Sequence, residues 1–268
     1  MATNKESTAR TFLVVFVLCL VCSIFVAGIT VSLRGIQDKA KALDKQENIV
    51  RVSGLKFIEG KDSAADIYQK SIDSKFVSLK DKKVLSKSET EELLKNQKVK
   101  KVFDFDYVSA SKAGNYSHKI GNDVAGIRFR SDVMPVFVAR SNGKVVSYIL
   151  PFYGQGLWST LYGYLAVTPD GTKVVGINFY EHGETPGLGG EISNPVWDAK
   201  WQGKDLYNGS AILHVVKGDA SKSTEIDGIS GATLTGNGVT NCLAYWLSDD
   251  AYGPILKNPS ILTALGGE

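Results

Sequence analysis

Histidine and cysteine are scarce in this chain, three of each among 268 residues, and the scarcity closes off several kinds of chemistry. Cys19 and Cys22 lie inside an apolar run, and Cys242 is the one cysteine of everything that follows. The soluble part therefore has no internal disulfide and too few thiolates for an iron–sulfur centre, and Cys242 reads as a packing residue. His118, His182 and His214 stand at no metal-ligand spacing, and the H-x-E pair of His182 and Glu184 has no H-E-x-x-H or Cys–His company. A serine hydrolase is not indicated, because no G-x-S-x-G elbow occurs. Nor does a G-x-G-x-x-G follow a strand to hold a nicotinamide dinucleotide, so no complete dehydrogenase site is on this chain. The formal net charge is only +3, and no basic run is interleaved with aromatics, which sets nucleic acid aside as a partner.

Charge is also missing from Thr11 to Leu33. At about 1.5 Å of rise per residue this stretch covers the roughly 30 Å of a bilayer core, so it is predicted to be a transmembrane helix in contact with lipid. A cleaved signal peptide is the competing reading, but the run is longer than the usual signal core and Ala27-Gly28-Ile29-Thr30 offers no A-x-A site. The span holds no acid or amide to ligate an ion, while Gly28 and Ser32 form a small-x-x-x-small pair suited to packing on another helix. Lys5 and Arg10 precede the span and Arg34, Lys39, Lys41 and Lys45 follow it, a count that mildly favours a cytoplasmic body. The predicted organisation is a tail over 1–10, the membrane helix over 11–33, a membrane-proximal helical and strand region over 34–120, and a main domain over 121–268.

Within the soluble part, Ser88-Glu89-Thr90-Glu91 reads as a capping box opening a helix through Leu93 and Leu94. Strands are predicted over 124–129, 133–139 and 145–150, the last two joined by a turn at Ser141-Asn142-Gly143. A second hairpin joins 162–168 to 173–180 across Pro169-Asp170-Gly171, and a final strand covers 212–216. Asn194-Pro195 marks the start of a short helix carrying Val196, Trp197 and Trp201. Strands and helices do not alternate strictly, so the fold class is α+β rather than a doubly wound parallel sheet.

Two glycine-rich segments stand out. Glu181 to Gly190 is shaped by backbone needs, and within it Glu184, Thr185, Leu188 and Gly189 are candidates to face a planar ring. The other is Asp227-Gly228-Ile229-Ser230-Gly231-Ala232-Thr233, followed by Leu234 and Thr235. Gly228, Gly231 and Ala232 clear bulk from around a run of hydroxyls, and the apolar spacing of Val239, Cys242, Leu243 and Trp246 predicts a helix over 237–247. Thr233 is then expected just ahead of a positive helix end able to receive a phosphate. The plain alternative is an ordinary turn and N-cap made by Ser230, Thr233 or Thr235. Gly156-Leu157-Trp158-Ser159-Thr160-Leu161-Tyr162-Gly163-Tyr164 forms a third block, in which Trp158, Tyr162 and Tyr164 fit a strand with an aromatic edge.

Read as D-x-x-[ST]-G-A-[ST] over 227–233, and taken with G-L-W-S-T over 156–160, E-H-G-E-T-P-G-L-G-G over 181–190 and Gln46-Glu47-Asn48-Ile49 behind one apolar span, the chain resembles the C subunits of bacterial sodium-translocating NADH:quinone reductases. The G subunit of the related Rnf complex shares the flavin domain and is the nearer alternative. The resemblance implies an α+β FMN-binding body behind one membrane helix, with FMN bound covalently through its phosphate to Thr233 by a flavin transferase. It places Asp227, Ser230, Gly231, Ala232, Leu234, Thr235, Leu157, Trp158 and the 184–189 loop around that flavin. It also implies an inner-membrane complex whose other subunits are the partners. There the chain relays electrons while NADH reduces ubiquinone and sodium is exported, with the body on the periplasmic side. A reading of another class is a membrane-anchored binding or assembly module without cofactor, its glycine loops shaping an interaction surface.

Overall fold

The computed structural model describes residues 8–58, 60–112 and 114–267, so Lys5 and most of the predicted 1–10 tail lie outside the described residues. The chain divides after Lys45 into two units, Met1–Lys45 and Gln46–Glu268. The described residues of the first lie in helix α1 (Thr8–Val52), whose last residues, 46–52, belong to the second. It is long and apolar enough to cross a membrane, and none of its apolar window is buried. The hydroxyls of Ser23, Thr30 and Ser32 donate to the carbonyls of Leu20, Val26 and Gly28, each at 2.8 Å, so these three polar groups are satisfied within the helix.

The second unit is built on one antiparallel sheet. After α2 (Ala64–Ser71) come β1 (Ile72–Ser78) and β2 (Lys83–Val84), then α3 (Lys87–Asn96), α4 (Tyr107–Lys112), β3 (Ser117–Lys119) and β4 (Phe129–Ser131). Four long strands follow, β5 (Val133–Ser141), β6 (Lys144–Gln155), β7 (Thr160–Val167) and β8 (Val174–Glu181). The sheet order is β2-β1-β5-β6-β7-β8, while β3 and β4 pair separately. Asn142 and Gly143 both take positive φ, 50° and 78°, which gives the β5–β6 hairpin a turn twisted with the strands. Beyond the sheet lie α5 (Pro195–Asp198), β9 (Tyr207–Asn208), β10 (Ala211–Ile212), β11 (His214–Val215), β12 (Glu225–Ile226), α6 (Thr233–Trp246), α7 (Gly253–Leu256) and α8 (Pro259–Gly266).

Alternation along the strands serves two cores. Met134, Val136, Leu150, Phe152 and Leu165 face a large core that includes Val239, Leu243 and Trp246 of α6. Phe137, Ile149, Tyr164 and Ala166 point the other way, onto Ile49, Val50 and Val52 at the end of α1 and Tyr68 of α2. There the Asn178 amide donates to the Asn48 side chain at 2.9 Å and to its carbonyl at 3.3 Å, which gives the 46–49 segment a docking role.

The α+β class and the two hairpins stand as expected, and several boundaries are corrected. No break falls at 120, because β1 pairs with β5 along its whole length and joins the predicted membrane-proximal region to the main sheet. The capping box is Ser86 with Glu89, two residues early: the Glu89 amide donates to Ser86 Oγ at 3.3 Å while the Glu89 carboxylate accepts the Ser86 amide at 2.8 Å. Residues 124–128 form a turn instead of a strand, since Asp123 accepts the amides of Ile127 at 3.0 Å and Arg128 at 2.6 Å. The predicted 212–216 strand splits at Leu213, whose amide donates back to Leu206. Asn194 and Pro195 open α5 as expected, the Asn194 side chain accepting from the Val196 amide at 2.9 Å.

Candidate functional site

The 227–233 segment leaves β12, which lies parallel to β11. Asp227 pins its start: one carboxylate oxygen meets Lys200 Nζ at 2.6 Å, the other accepts the Ala220 amide at 2.7 Å, and the main-chain carbonyl accepts Trp197 Nε1 at 2.9 Å. The Lys200 contact first, and the Ala220 amide second, hold this carboxyl below its ordinary range. Gly228 sits so close to the Val216 carbonyl that a Cβ would collide with it, and its own amide donates to Gly218 at 2.7 Å. Gly231 takes φ 74°, a left-handed conformation that suits glycine.

Helix α6 then begins at Thr233, four residues earlier than Asn237, where its apolar periodicity starts. Thr233 is therefore the first helical residue and not a residue ahead of the helix. Ala232 precedes it as N-cap without a side-chain hydrogen bond, so the helix start is open to an anion. Thr233 and Ser230 are exposed, whereas Thr235 is buried. Beside Thr233 lies a cleft of about 600 Å³, walled by 215–219 on one side and by 228–233, Gly236 and Asn237 on the other.

The buried hydroxyl of Thr235 donates to Glu184 at 2.6 Å. Glu184 also accepts the amides of Trp158 at 2.9 Å and of Leu157 and Ser159 at 3.3 Å. Burial pushes its carboxyl up, but the Thr235 hydroxyl and the three amides outweigh that and leave it below the usual carboxylate range. Both oxygens are committed, so Glu184 ties the 156–160 loop to the first turn of α6. Gly156 and Gly189 leave room for it, since a Cβ on either meets the Glu184 carboxylate. Around this tie Leu157, Trp158, Leu188 and Leu234 stay exposed, and Leu188 packs over Gly231.

The predicted residues thus gather in one place, but with divided roles. Thr233 and Ser230 offer hydroxyls, Gly231 and Ala232 shape the turn, and Leu157, Trp158, Leu188 and Leu234 offer apolar surface. Exposed Thr185 supplies the carbonyl that closes the 185–190 turn by accepting the amides of Leu188 and Gly190 at 3.1 and 2.9 Å. Asp227 and Glu184 are structural anchors. The 215–219 wall was missed, and its one sequence signal was Gly218-Asp219 closing the 212–216 run. His182 is occupied locally, with Nε2 2.7 Å from Ser193 Oγ and Nδ1 accepting the Glu184 amide.

Residues 156–248, which take in every part of this constellation, match the family model described as FMN-binding domain and set the class of the body. Over 261 residues the chain is 40% identical to the C subunit of the Na(+)-translocating NADH-quinone reductase of Yersinia pestis, covering 95% of this chain and 94% of that one. The C subunit of the Pasteurella multocida reductase is 42% identical over 263 residues, 96% of each chain. Among solved structures, Shewanella oneidensis NqrC superposes with a TM-score of 0.72 at 32% identity, covering 84% of this chain and 99% of its own. The C subunit from Parabacteroides distasonis gives 0.62 at 28%, covering 84% and 98%. The chain belongs to this family of reductase C subunits.

Proposed function

We propose that the chain is the FMN-carrying electron-transfer subunit of a sodium-translocating NADH:quinone reductase, with FMN bound covalently through its phosphate to Thr233. The observation that carries the reading is the placement of Thr233, an exposed hydroxyl at the first position of an uncapped helix, beside a cleft of about 600 Å³. Those features fit the group. Open amides of the first turn of α6 suit a phosphate, and Leu157, Trp158, Leu188 and Leu234 offer apolar surface to a planar ring. When bound, the flavin supplies electron uptake and release, and the protein supplies position and environment.

Attachment requires an activated donor, a flavin dinucleotide, and a flavin transferase. The Thr233 Oγ–phosphorus bond forms, the bond from that phosphorus to the leaving nucleotide breaks, and the hydroxyl proton passes to a base of the transferase. Other reductase subunits are the electron donor and acceptor, and the lipid bilayer holds α1. The body lies on the periplasmic side, as the family resemblance implies, and the flanking charges do not oppose this because long domains translocate largely regardless of them.

Full-length protein produced together with the transferase tests this. Its intact mass should exceed the polypeptide by one esterified FMN, with in-gel fluorescence and with peptide mapping placing the modification on Thr233. A colourless chain of bare polypeptide mass sinks the reading in favour of a binding module. Protease digestion of right-side-out membrane vesicles should remove the body, and full protection reverses the orientation.

A further inference from the structure

We infer that Trp197 and Lys200 are positioning residues for modification of Thr233: gripping Asp227, they set the attachment loop, and the acid heading the motif works inside the chain instead of serving as a handle for the modifying enzyme. The inference rests on the reading of Thr233 as the flavin acceptor. Both carboxylate oxygens of Asp227 are taken, by Lys200 at 2.6 Å and by the Ala220 amide at 2.7 Å. Its carbonyl is taken too, by the indole N–H of Trp197 at 2.9 Å. Asp227 is also absent from the lining of the cleft at Thr233, where a group read together with the acceptor would stand.

The grip has a rigid base. Trp197 is buried, with ring centroids 5.1 Å from Trp201 and 6.2 Å from Phe179 of β8, so the indole is fixed to the main sheet. Asn194 and Pro195 start the short α5 helix that presents it. Between Asp227 and Thr233 the loop is held by the Gly228 amide donating to Gly218 at 2.7 Å, by the Ala232 amide donating to Ile229 at 3.1 Å and by Ile229 packing on the core, while Ser230 and Gly231 are exposed. The fixed position of Asp227 sets where this short path starts. Through Ala220 the same carboxylate fixes the segment that follows the 215–219 wall, so one side chain sets the spacing of both sides of the cleft.

The test follows the initial rate of covalent flavin incorporation into the full chain, with transferase and flavin dinucleotide, by in-gel fluorescence. Trp197→Phe keeps the ring and loses only the N–H; Lys200→Met keeps the stem and loses the charge. Each should load about three- to tenfold more slowly, the equivalent of one hydrogen bond. The deficit should lie in the rate at saturating transferase and not in the concentration giving half that rate, and Lys200→Arg should restore loading. Amide hydrogen exchange over 228–232 should quicken in both slow variants while exchange in β5 to β7 stays unchanged, which separates displacement of the loop from failure to fold. The inference is overturned if Asp227→Asn loads poorly while Trp197→Phe and Lys200→Met load as the parent does, for the acid is then read directly. If the parent chain takes up no covalent flavin, the acceptor reading itself has failed, and this inference with it.

Discussion

Three hydroxyls crowd the attachment segment, and burial separates them. Thr235 donates its hydroxyl to the buried carboxylate of Glu184, so Thr235→Val should cost about 1 to 3 kcal/mol by urea unfolding and yet leave the flavin on Thr233. Thr233→Val should abolish the covalent adduct with little change in unfolding midpoint, because its side chain is exposed. Peptide mapping of both variants checks the pair, and an adduct on Thr235 or Ser230 counts against it. A second residue behaves oppositely to Glu184. Asp198 has a buried Oδ1 without a hydrogen-bond partner among the described residues, and burial lifts its carboxyl from 3.8 to about 7, against a downward pull from Arg51. Its folded pKa exceeds its unfolded one, so stability is highest below 3.8 and declines as the pH climbs to about 7. Asp198→Asn should therefore match the parent near pH 4 and exceed it at pH 8, on the order of 1 to 3 kcal/mol in urea midpoints. At this scale the candidate acceptor could be proposed from sequence because the motif is defined by local spacing alone. The duties of Asp227 and Glu184 were not, since whether a carboxylate faces a ligand or its own backbone depends on partners as far off in sequence as Thr235 is from Glu184.

Among the elements, the two long hairpins were readable from apolar alternation broken by turn residues, and the Asn194-Pro195 start of α5 from capping chemistry. What escaped was of two kinds. The pairs β9–β10 and β11–β12 are two residues long in each strand, too short for a period to appear, and Val215 of β11 begins the cleft wall opposite the 228–233 loop. Strand β1 and the far end of α1 take their burial from contacts remote in sequence. At that end Asn178, itself buried, satisfies Asn48. Asn178→Ala should lower stability by about 1 to 3 kcal/mol and speed amide exchange over 46–52, while flavin loading proceeds unchanged. Equal exchange in the variant would show that the docking does not depend on this bond.

For the whole molecule, the division after Lys45 predicts a separable body. The two solved relatives each match 84% of this chain while being almost wholly covered themselves, close to the share taken by Gln46–Glu268. A chain beginning at Gln46 should be soluble, unfold cooperatively and accept flavin from the transferase at the parent's rate. Aggregation or failure to load would mean that the apolar helix contributes to the fold or to recognition. The helix that bears Thr233 also has a consequence for how such a cofactor moves. Backbone packs on backbone where Gly238 meets the Gln155 carbonyl, and Cys242 fills the space a Cβ on Gly154 would need, so α6 is seated on β6 without slack. A group bonded to Ser230 would ride on a pliable loop and sweep an arc, whereas one bonded to Thr233 turns about a fixed pivot. Its reach is then the length of its own ribityl chain, and donor and acceptor must be delivered to it, one after the other, at a stationary post.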